Sequence, residues 1–276
     1  MVESKTLYVV GTPIGNLSDF SPRAAQTLAE VDFIAAEDTR VTLKLLNHLG
    51  IKKPMVSYFE HNKTQRTSEI CQRILKGESC AVVSDAGMPC ISDPGEDLVR
   101  ECGNLGIKTV VVPGPSALIS ALCVSGLATG RFTFEGFISV NKKSRKEHLE
   151  SLINEKRTMI FYEAPHKLAN TLKDLYLYFG ERNLTIVREI TKIHEEVIRT
   201  TTKEAFENIS ENPLKGEIVL VMEGKADEIK EEITLEDAVK LANSFIAEGL
   251  KISDAAKKAA TLSGLKKNEI YRELTK

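Results

Sequence analysis

The sequence predicts an α/β protein: two successive α/β domains followed by a small helical domain. Three observations carry that prediction. Over residues 1–125, short apolar runs of strand length alternate with helix-length segments in the order βαβαβαβαβ, the pattern of a mostly parallel sheet with helices on its faces. The alternation restarts after a small-residue junction, Gly126 to Arg131, and fills residues 126–226 with some antiparallel pairing. Beyond a charged linker, Ala226 to Glu232, residues 233–276 are helical only.

Composition bounds the function. Of 276 residues, 42% are hydrophobic and 28% charged, as in an ordinary soluble protein with a large core. A net charge of −2 excludes a global basic field for nucleic acid, so any such contact rests on a local patch. The five cysteines, Cys71, Cys80, Cys90, Cys102 and Cys123, form no close pair in sequence and fit reduced thiols better than a disulfide frame or a zinc site. The apolar run in MVESKTLYVVGT is much shorter than a secretory core, and no later stretch approaches a membrane span. A soluble, cytoplasmic protein is expected.

The first strand, Leu7 to Val10, ends in Gly11-Thr12-Pro13-Ile14-Gly15-Asn16, and Ser21-Pro22 reads as the N-cap and first-turn proline of a helix through Val31. The glycine pair would let a ligand approach the backbone. Its spacing, however, is neither a dinucleotide fingerprint nor a Walker motif, and a plain turn has the same composition. Phe33 to Glu37 forms the second strand and delivers Glu37, Asp38, Thr39 and Arg40 at its end, before a helix over Val41 to Leu49. Two carboxylates and an arginine there suit catalysis or substrate orientation, although acidic residues also favour a helix start. Met55 to Tyr58 is the third strand, followed by Phe59-Glu60-His61-Asn62 and a helix over Thr64 to Leu75; His61 reads equally well as a solvated loop residue.

Cys80 to Val83 are too few for a helix and suit a strand covered on both faces. The loop after it, with Ser84, Asp85, Gly87, Pro89, Asp93, Pro94 and Gly95, is longer than a connection requires. Ligands of open α/β sheets bind beyond the carboxyl ends of the strands, which makes this loop the first candidate site. The bland alternative is a rigid crossover. A helix over Glu96 to Asn104 and a strand over Lys108 to Val112 lead to Pro113-Gly114-Pro115-Ser116, with Ser116 as N-cap of a helix over Ala117 to Ser125. The free N–H groups of that helix start suit a carboxylate.

In the second half the expected elements are a strand over Phe132 to Ile138, a basic loop from Asn141 to Lys146, a helix over Glu147 to Asn154, and a strand over Thr158 to Tyr162. The loop Glu163-Ala164-Pro165-His166 follows, then a helix over Lys167 to Phe179, strands Leu184 to Glu189 and Val197 to Thr201, a helix over Lys203 to Ile209, and a strand over Ile218 to Met222. The tail reads as helices Leu235 to Glu248, Ser253 to Leu262 and Lys267 to Leu274. The last two straddle a Ser263-Gly264-Leu265 turn, as in a helix-turn-helix. From Lys251 on, six lysines and one arginine face three acids, which suits either nucleic acid or a plain solvated hairpin.

Taken in order, LYVVGTPIGNLSDFSPRA, AAEDTR, SDAGMPCISDPG, VVPGPSA, FYEAPHK and KGEIVLVMEG resemble the tetrapyrrole (uroporphyrin-III/corrin) methylase superfamily, and within it the branch that methylates small-subunit ribosomal RNA. The resemblance spans about residues 5–225, and the tail is similar to a helix-turn-helix appended in that branch. Ser84-Asp85-Ala86 stands where the tetrapyrrole enzymes usually carry Gly-Asp-Pro, which argues against a porphyrin substrate. The resemblance implies two α/β domains of tetrapyrrole-methylase type with S-adenosylmethionine in a cleft between them, no metal, and a homodimer. It implies 2′-O-ribose methylation of a cytidine in the decoding centre of 16S rRNA, with the small ribosomal subunit as partner. By position in the matching motifs, the cofactor contacts it implies are Pro13, Asp85, Met88, Ser116, Ala117, Ala164 and Glu217.

A sulfonium methyl moves in line to its acceptor, so positioning and loss of water supply much of the rate. A ribose hydroxyl is a poor nucleophile, and a general base or a charge that stabilises the alkoxide would help it. The candidates are Glu37, Asp38, Arg40, Glu163, His166 and Glu189; the working assignment gives Glu37 or Glu163 the proton and Arg40 the substrate phosphate. Lys142, Lys143, Arg145 and the C-terminal helices are expected to meet rRNA phosphates. Two other classes fit parts of the chain. A small-molecule methylase would leave the helix-turn-helix without a use, and a non-catalytic nucleic-acid-binding regulator would leave the cleft loops unexplained.

Overall fold

The computed structural model describes residues 2–209, 214–226 and 234–276; the expected charged linker, Ala226 to Glu232, lies from residue 227 on outside the described residues. Residues 1–225 form one compact unit and residues 226–276 another.

Five strands, β1 (Thr6–Val10), β2 (Phe33–Ala36), β3 (Met55–Ser57), β4 (Cys80–Val83) and β5 (Lys108–Val112), form a sheet in the order β3-β2-β4-β1-β5. Every pairing in it is parallel. The helices α1 (Pro22–Glu30), α2 (Thr39–His48), α3 (Lys63–Leu75) and α4 (Gly95–Asn104) supply the crossovers that parallel strands require. The buried strand residues divide between two cores. Leu7, Phe33, Cys80 and Val82 meet Ile70, Ile74 and Leu98, whereas Tyr8, Ile34, Ala81 and Val83 meet Ala24, Leu28 and Leu46. A sheet buried on both faces explains why β4 reads as an unbroken apolar run. The thiols of Cys71 and Cys102, far apart in sequence, lie 3.8 Å apart in the first of these cores.

A second sheet has the order β6-β7-β10-β8-β9, built from β6 (Phe132–Phe137), β7 (Thr158–Glu163), β8 (Asn183–Arg188), β9 (Glu196–Thr201) and β10 (Ile218–Met222). Only β6 and β7 run parallel; the other pairings are antiparallel. One face carries α7 (Leu168–Phe179), whose Leu168, Leu172 and Leu175 pack on Phe161, Ile186 and Leu220. The other face is covered by α5 (Ala117–Ser125), through Leu118, Ala121 and Leu122 against Ile160, Val219 and Val221. So α5 follows the first sheet in the chain but buries its apolar side on the second, and it joins the two halves at the place where a domain boundary was expected.

The basic stretch expected as a loop is helical. Asn141 accepts hydrogen bonds from the N–H groups of Lys143 and Ser144, and this cap starts α6 (Lys142–Ser151) five residues before the expected helix. Between β9 and β10 lies α8 (Thr202–Ile209). The second unit holds α9 (Leu235–Ala247), α10 (Ile252–Ser263) and α11 (Lys267–Leu274). Its core is made largely of small side chains, Ala238, Ala242, Ala255, Ala256 and Ala259, closed by Phe245 and Ile270. Gly264 takes the left-handed conformation (φ 74°) that ends α10 and turns the chain toward α11. Among the described residues no helix is long and apolar enough to cross a membrane.

Candidate functional site

Because the first sheet is parallel, the carboxyl ends of its strands share one edge, and the strand order sets side by side the loops after β2, β4, β1 and β5. Backbone contacts knit them together. Thr12 and Gly87 exchange hydrogen bonds of 2.9 and 3.2 Å, which ties the first loop to the central one. Gly11 and Gly114 touch backbone to backbone: a Cβ on Gly11 would stand 2.7 Å from the Gly114 Cα and 2.7 Å from the Met88 sulfur. That sulfur accepts the Gly114 N–H at 3.2 Å, so the Met88 side chain braces the Pro-Gly-Pro turn. Within the central loop, Cys90 and Ser92 adopt positive φ values of 73° and 64°, an arrangement costing roughly 1 kcal/mol or more per residue. Asp93 holds it in place by accepting the N–H groups of Cys90 (2.9 Å) and Gly95 (2.7 Å).

These loops face a cleft of about 400 Å³ whose opposite wall comes from the second sheet. Of the expected contact residues, Asp85, Met88, Ser116, Ala117, Ala164 and Glu217 line it, together with Glu37 and Glu163. Pro13 does not; it lines a smaller neighbouring cavity. Asp38, Arg40, His166 and Glu189 also stand outside the cleft lining. Glu189 instead pairs with Lys192 (2.8 Å), and its Oε1 accepts the Glu217 N–H at 2.9 Å. Ser116 occupies the N-cap position of α5, yet its side chain makes no cap hydrogen bond. Sequence reasoning missed Tyr162, whose hydroxyl accepts the Leu118 N–H at 3.2 Å, and Phe137, whose ring lies 5.6 Å from that of Tyr162. The first stands inside the FYEAPHK motif and was legible there; the second, at the end of β6, carried no local signal.

The electrostatics separate the carboxylates. Glu37 and Asp85 are locked reciprocally: the Asp85 N–H donates to Glu37 Oε2 (3.2 Å), and the Asp38 N–H donates to Asp85 Oδ1 (3.0 Å). Burial is the largest influence on Glu37 and raises its pKa, aided by the charges of Asp85, Asp93 and Asp38 and opposed by the Asp85 N–H. Burial likewise raises Asp85. Asp38 is different. It caps α2 and takes a two-pronged contact from the Arg40 guanidinium at 2.6 to 3.2 Å, which lowers its pKa to about 2. The Arg40 side chain remains 88% exposed.

Glu163 is 3% exposed, and both of its oxygens are engaged: one accepts the Ala164 N–H (2.8 Å), the other the Thr171 hydroxyl (2.5 Å). Thr171 also accepts a hydrogen bond from Arg145, which pairs with Asp174 at 2.6 Å. Arg145 is therefore turned inward, 16% exposed, and not toward an external phosphate as expected; Lys142 and Lys143 are exposed. Among the described residues no group of three or more His, Cys, Asp or Glu side chains could hold a metal ion. What the cleft offers is a hydroxyl and amide donors at the start of α5, carboxylates at the first-sheet edge, and apolar walls from Ile14, Ile190 and Val219. That mixture suits a ligand with a charged end, hydroxyl groups and a flat ring.

Residues 6–205 match the model of the tetrapyrrole (corrin/porphyrin) methylases. The chain is 47% identical over 267 residues to the ribosomal RNA small subunit methyltransferase I of Synechocystis sp., which covers 96% of each chain. It is 45% identical over 269 residues to that of Haemophilus influenzae, covering 96% of this chain and 95% of the relative. A Thermotoga maritima protein of the same name is 48% identical over 219 residues, 79% of this chain but 98% of the relative. Among solved structures, the methyltransferase CobJ superposes with a TM-score of 0.59 at 17% identity, covering 80% of this chain and 94% of that one. Uroporphyrin-III C-methyltransferase from Thermus thermophilus, complexed with S-adenyl homocysteine, superposes with a TM-score of 0.57 at 15% identity, covering 79% and 97%. At these identities the structural likeness is one of fold.

Proposed function

The chain belongs to the tetrapyrrole methylase family, in its ribosomal RNA small subunit methyltransferase I branch, and from that premise we propose that it moves the methyl group of S-adenosylmethionine to the ribose 2′-hydroxyl of a cytidine in the decoding centre of 16S rRNA. The observation that carries the assignment of roles is Glu37, a carboxyl with raised pKa on the wall of a cleft whose donors fit the cofactor. When bound, S-adenosylmethionine supplies an electrophilic methyl on a positively charged sulfur and leaves as a neutral thioether. The Ser116 hydroxyl and the Ala117 N–H at the start of α5 meet its carboxylate, Asp85 its hydroxyl groups, and Met88, Ala164 and Glu217 complete the walls.

Glu37 takes the ribose proton as the oxygen–carbon bond forms, so the proton ends on its carboxylate. A raised pKa makes it a stronger base than an ordinary carboxylate. Arg40, exposed in the first turn of α2, meets the phosphate beside the target ribose. Glu163 acts through others: with both oxygens occupied, it positions the Ala164 loop. The small ribosomal subunit is the macromolecular partner, and the enzyme works as a cytoplasmic homodimer.

The test is methyl transfer from labelled S-adenosylmethionine to small ribosomal subunits from a strain lacking the modification, with naked rRNA and a porphyrinogen as parallel acceptors. Label in a cytidine ribose is the expected result. Label on the porphyrinogen, or on nothing while the cofactor still binds, would leave the fold and cleft standing and remove the rRNA assignment.

A further inference from the structure

Beside the main cleft lies a second cavity of about 270 Å³, between the first loop and α2. The two cavities share one wall, Ser84 and Asp85, so whatever fills the second abuts the first. The sides of the second cavity are aliphatic, from Pro13, Leu17, Val41 and Leu45, and its rim carries Lys44 and His48. Flat aliphatic walls with a polar rim suit a planar ring, and the volume suits one ring system rather than a macrocycle.

The rim belongs to a longer feature. Arg40, Lys44 and His48 follow one another at four-residue intervals and form a slanting row along one side of α2. All three are exposed. Lys44 makes no ion pair among the described residues, and Arg40 spends Nε and Nη2 on Asp38 but makes no hydrogen bond there with Nη1. The row starts three residues beyond Glu37 and runs away from the main cleft along the second cavity. A chain with net charge −2 that must hold a polyanion has to concentrate its cations locally, and this row does so beside the candidate base.

We propose that the second cavity seats the base of the nucleotide being modified, splayed out of its strand, while Arg40, Lys44 and His48 receive the phosphates on either side of it. The inference rests on RNA as the substrate and adds where that RNA lies. A base held behind the Ser84–Asp85 wall leaves its own ribose at the mouth of the main cleft, next to the Asp85 N–H that bonds Glu37. Extruding a nucleotide in this way is how enzymes reach atoms that a folded strand conceals.

The experiment compares unaltered protein with Lys44→Glu, which removes a cation from the row, and Val41→Trp, which fills the cavity from a position 37% exposed at its edge. For each, KM is measured with small subunits as a function of salt, and the dissociation constant for S-adenosylmethionine is measured by calorimetry. Both variants are expected to raise KM for subunits by about tenfold or more, with cofactor affinity within about twofold of the unaltered protein. Lys44→Glu should in addition flatten the dependence of log KM on log salt by about one phosphate contact. Wild-type KM and salt slope in both variants would overturn the inference, as would loss of cofactor binding in Val41→Trp, which would make the second cavity part of the first. If the unaltered protein binds cofactor but labels no rRNA, the reading beneath the inference fails and takes the inference with it.

Discussion

Glu37 directly follows a strand, Glu163 ends one, and both line the cleft, yet their surroundings differ. Glu37 is half-buried among acids and keeps one oxygen out of any hydrogen bond among the described residues, while Glu163 has neither oxygen to spare. Glu37→Gln should therefore lower kcat by about 10²- to 10⁴-fold and leave the dissociation constant for S-adenosylmethionine nearly unchanged. The sign of the pH dependence follows. As pH falls through the raised pKa of Glu37, its carboxylate is protonated and can no longer accept the ribose proton. The acid limb of the kcat profile should then lie above the 4.5 of an ordinary glutamate and vanish in Glu37→Gln. Glu163→Ala should behave otherwise. It orphans the Ala164 N–H and the Thr171 hydroxyl at roughly 1–3 kcal/mol, lowering Tm and weakening cofactor binding, with near-normal kcat at saturating cofactor. The position of Glu37 was legible because it immediately follows a short apolar run. The engagement of Glu163 was not, because Thr171 and, through it, Arg145 reach it only once α6 and α7 have packed.

At the scale of elements, the turns after β1 and β5 meet backbone to backbone. Gly11→Ala would push a methyl group into the Gly114 backbone and the Met88 sulfur, both 2.7 Å away, and although the Met88 side chain could shift, the Gly114 backbone could not. We expect a loss of about 1–3 kcal/mol, read as a fall in Tm, and weaker cofactor binding because the Pro-Gly-Pro turn leads into Ser116. Short apolar runs bounded by turn residues revealed the first sheet almost residue for residue, most plainly in β1, β2 and β4, since a strand covered on both faces leaves little choice of composition. The start of α6 was harder to read, because a lysine run looks like a solvated loop and the Asn141 cap precedes it by a single residue. The docking of α5 on the second sheet was hidden as well: ALISALCVS is apolar on every side and does not say which sheet it will cover.

For the whole molecule, the division into residues 1–225 and 226–276 makes a clean truncation possible. The Thermotoga maritima relative is matched over 98% of its length by 219 residues, about the size of the first unit alone. Removal of residues 226–276 should accordingly preserve cofactor affinity and kcat and raise KM for small subunits, the tail adding affinity through its lysines rather than chemistry. An unchanged KM would make the tail a solvated hairpin, and loss of cofactor binding would make it part of the catalytic unit. The interlocked bonds among Glu37, Asp38 and Asp85 have a consequence of another kind. One partner of this latch belongs to the wall proposed for the cofactor, and another anchors the arginine proposed for RNA, so both ligands would be seated on one hydrogen-bonded unit. Linked occupancy is the expected outcome, and it is reciprocal: whatever factor S-adenosyl homocysteine imposes on the dissociation constant of the ribosomal subunit, the subunit must impose on that of S-adenosyl homocysteine.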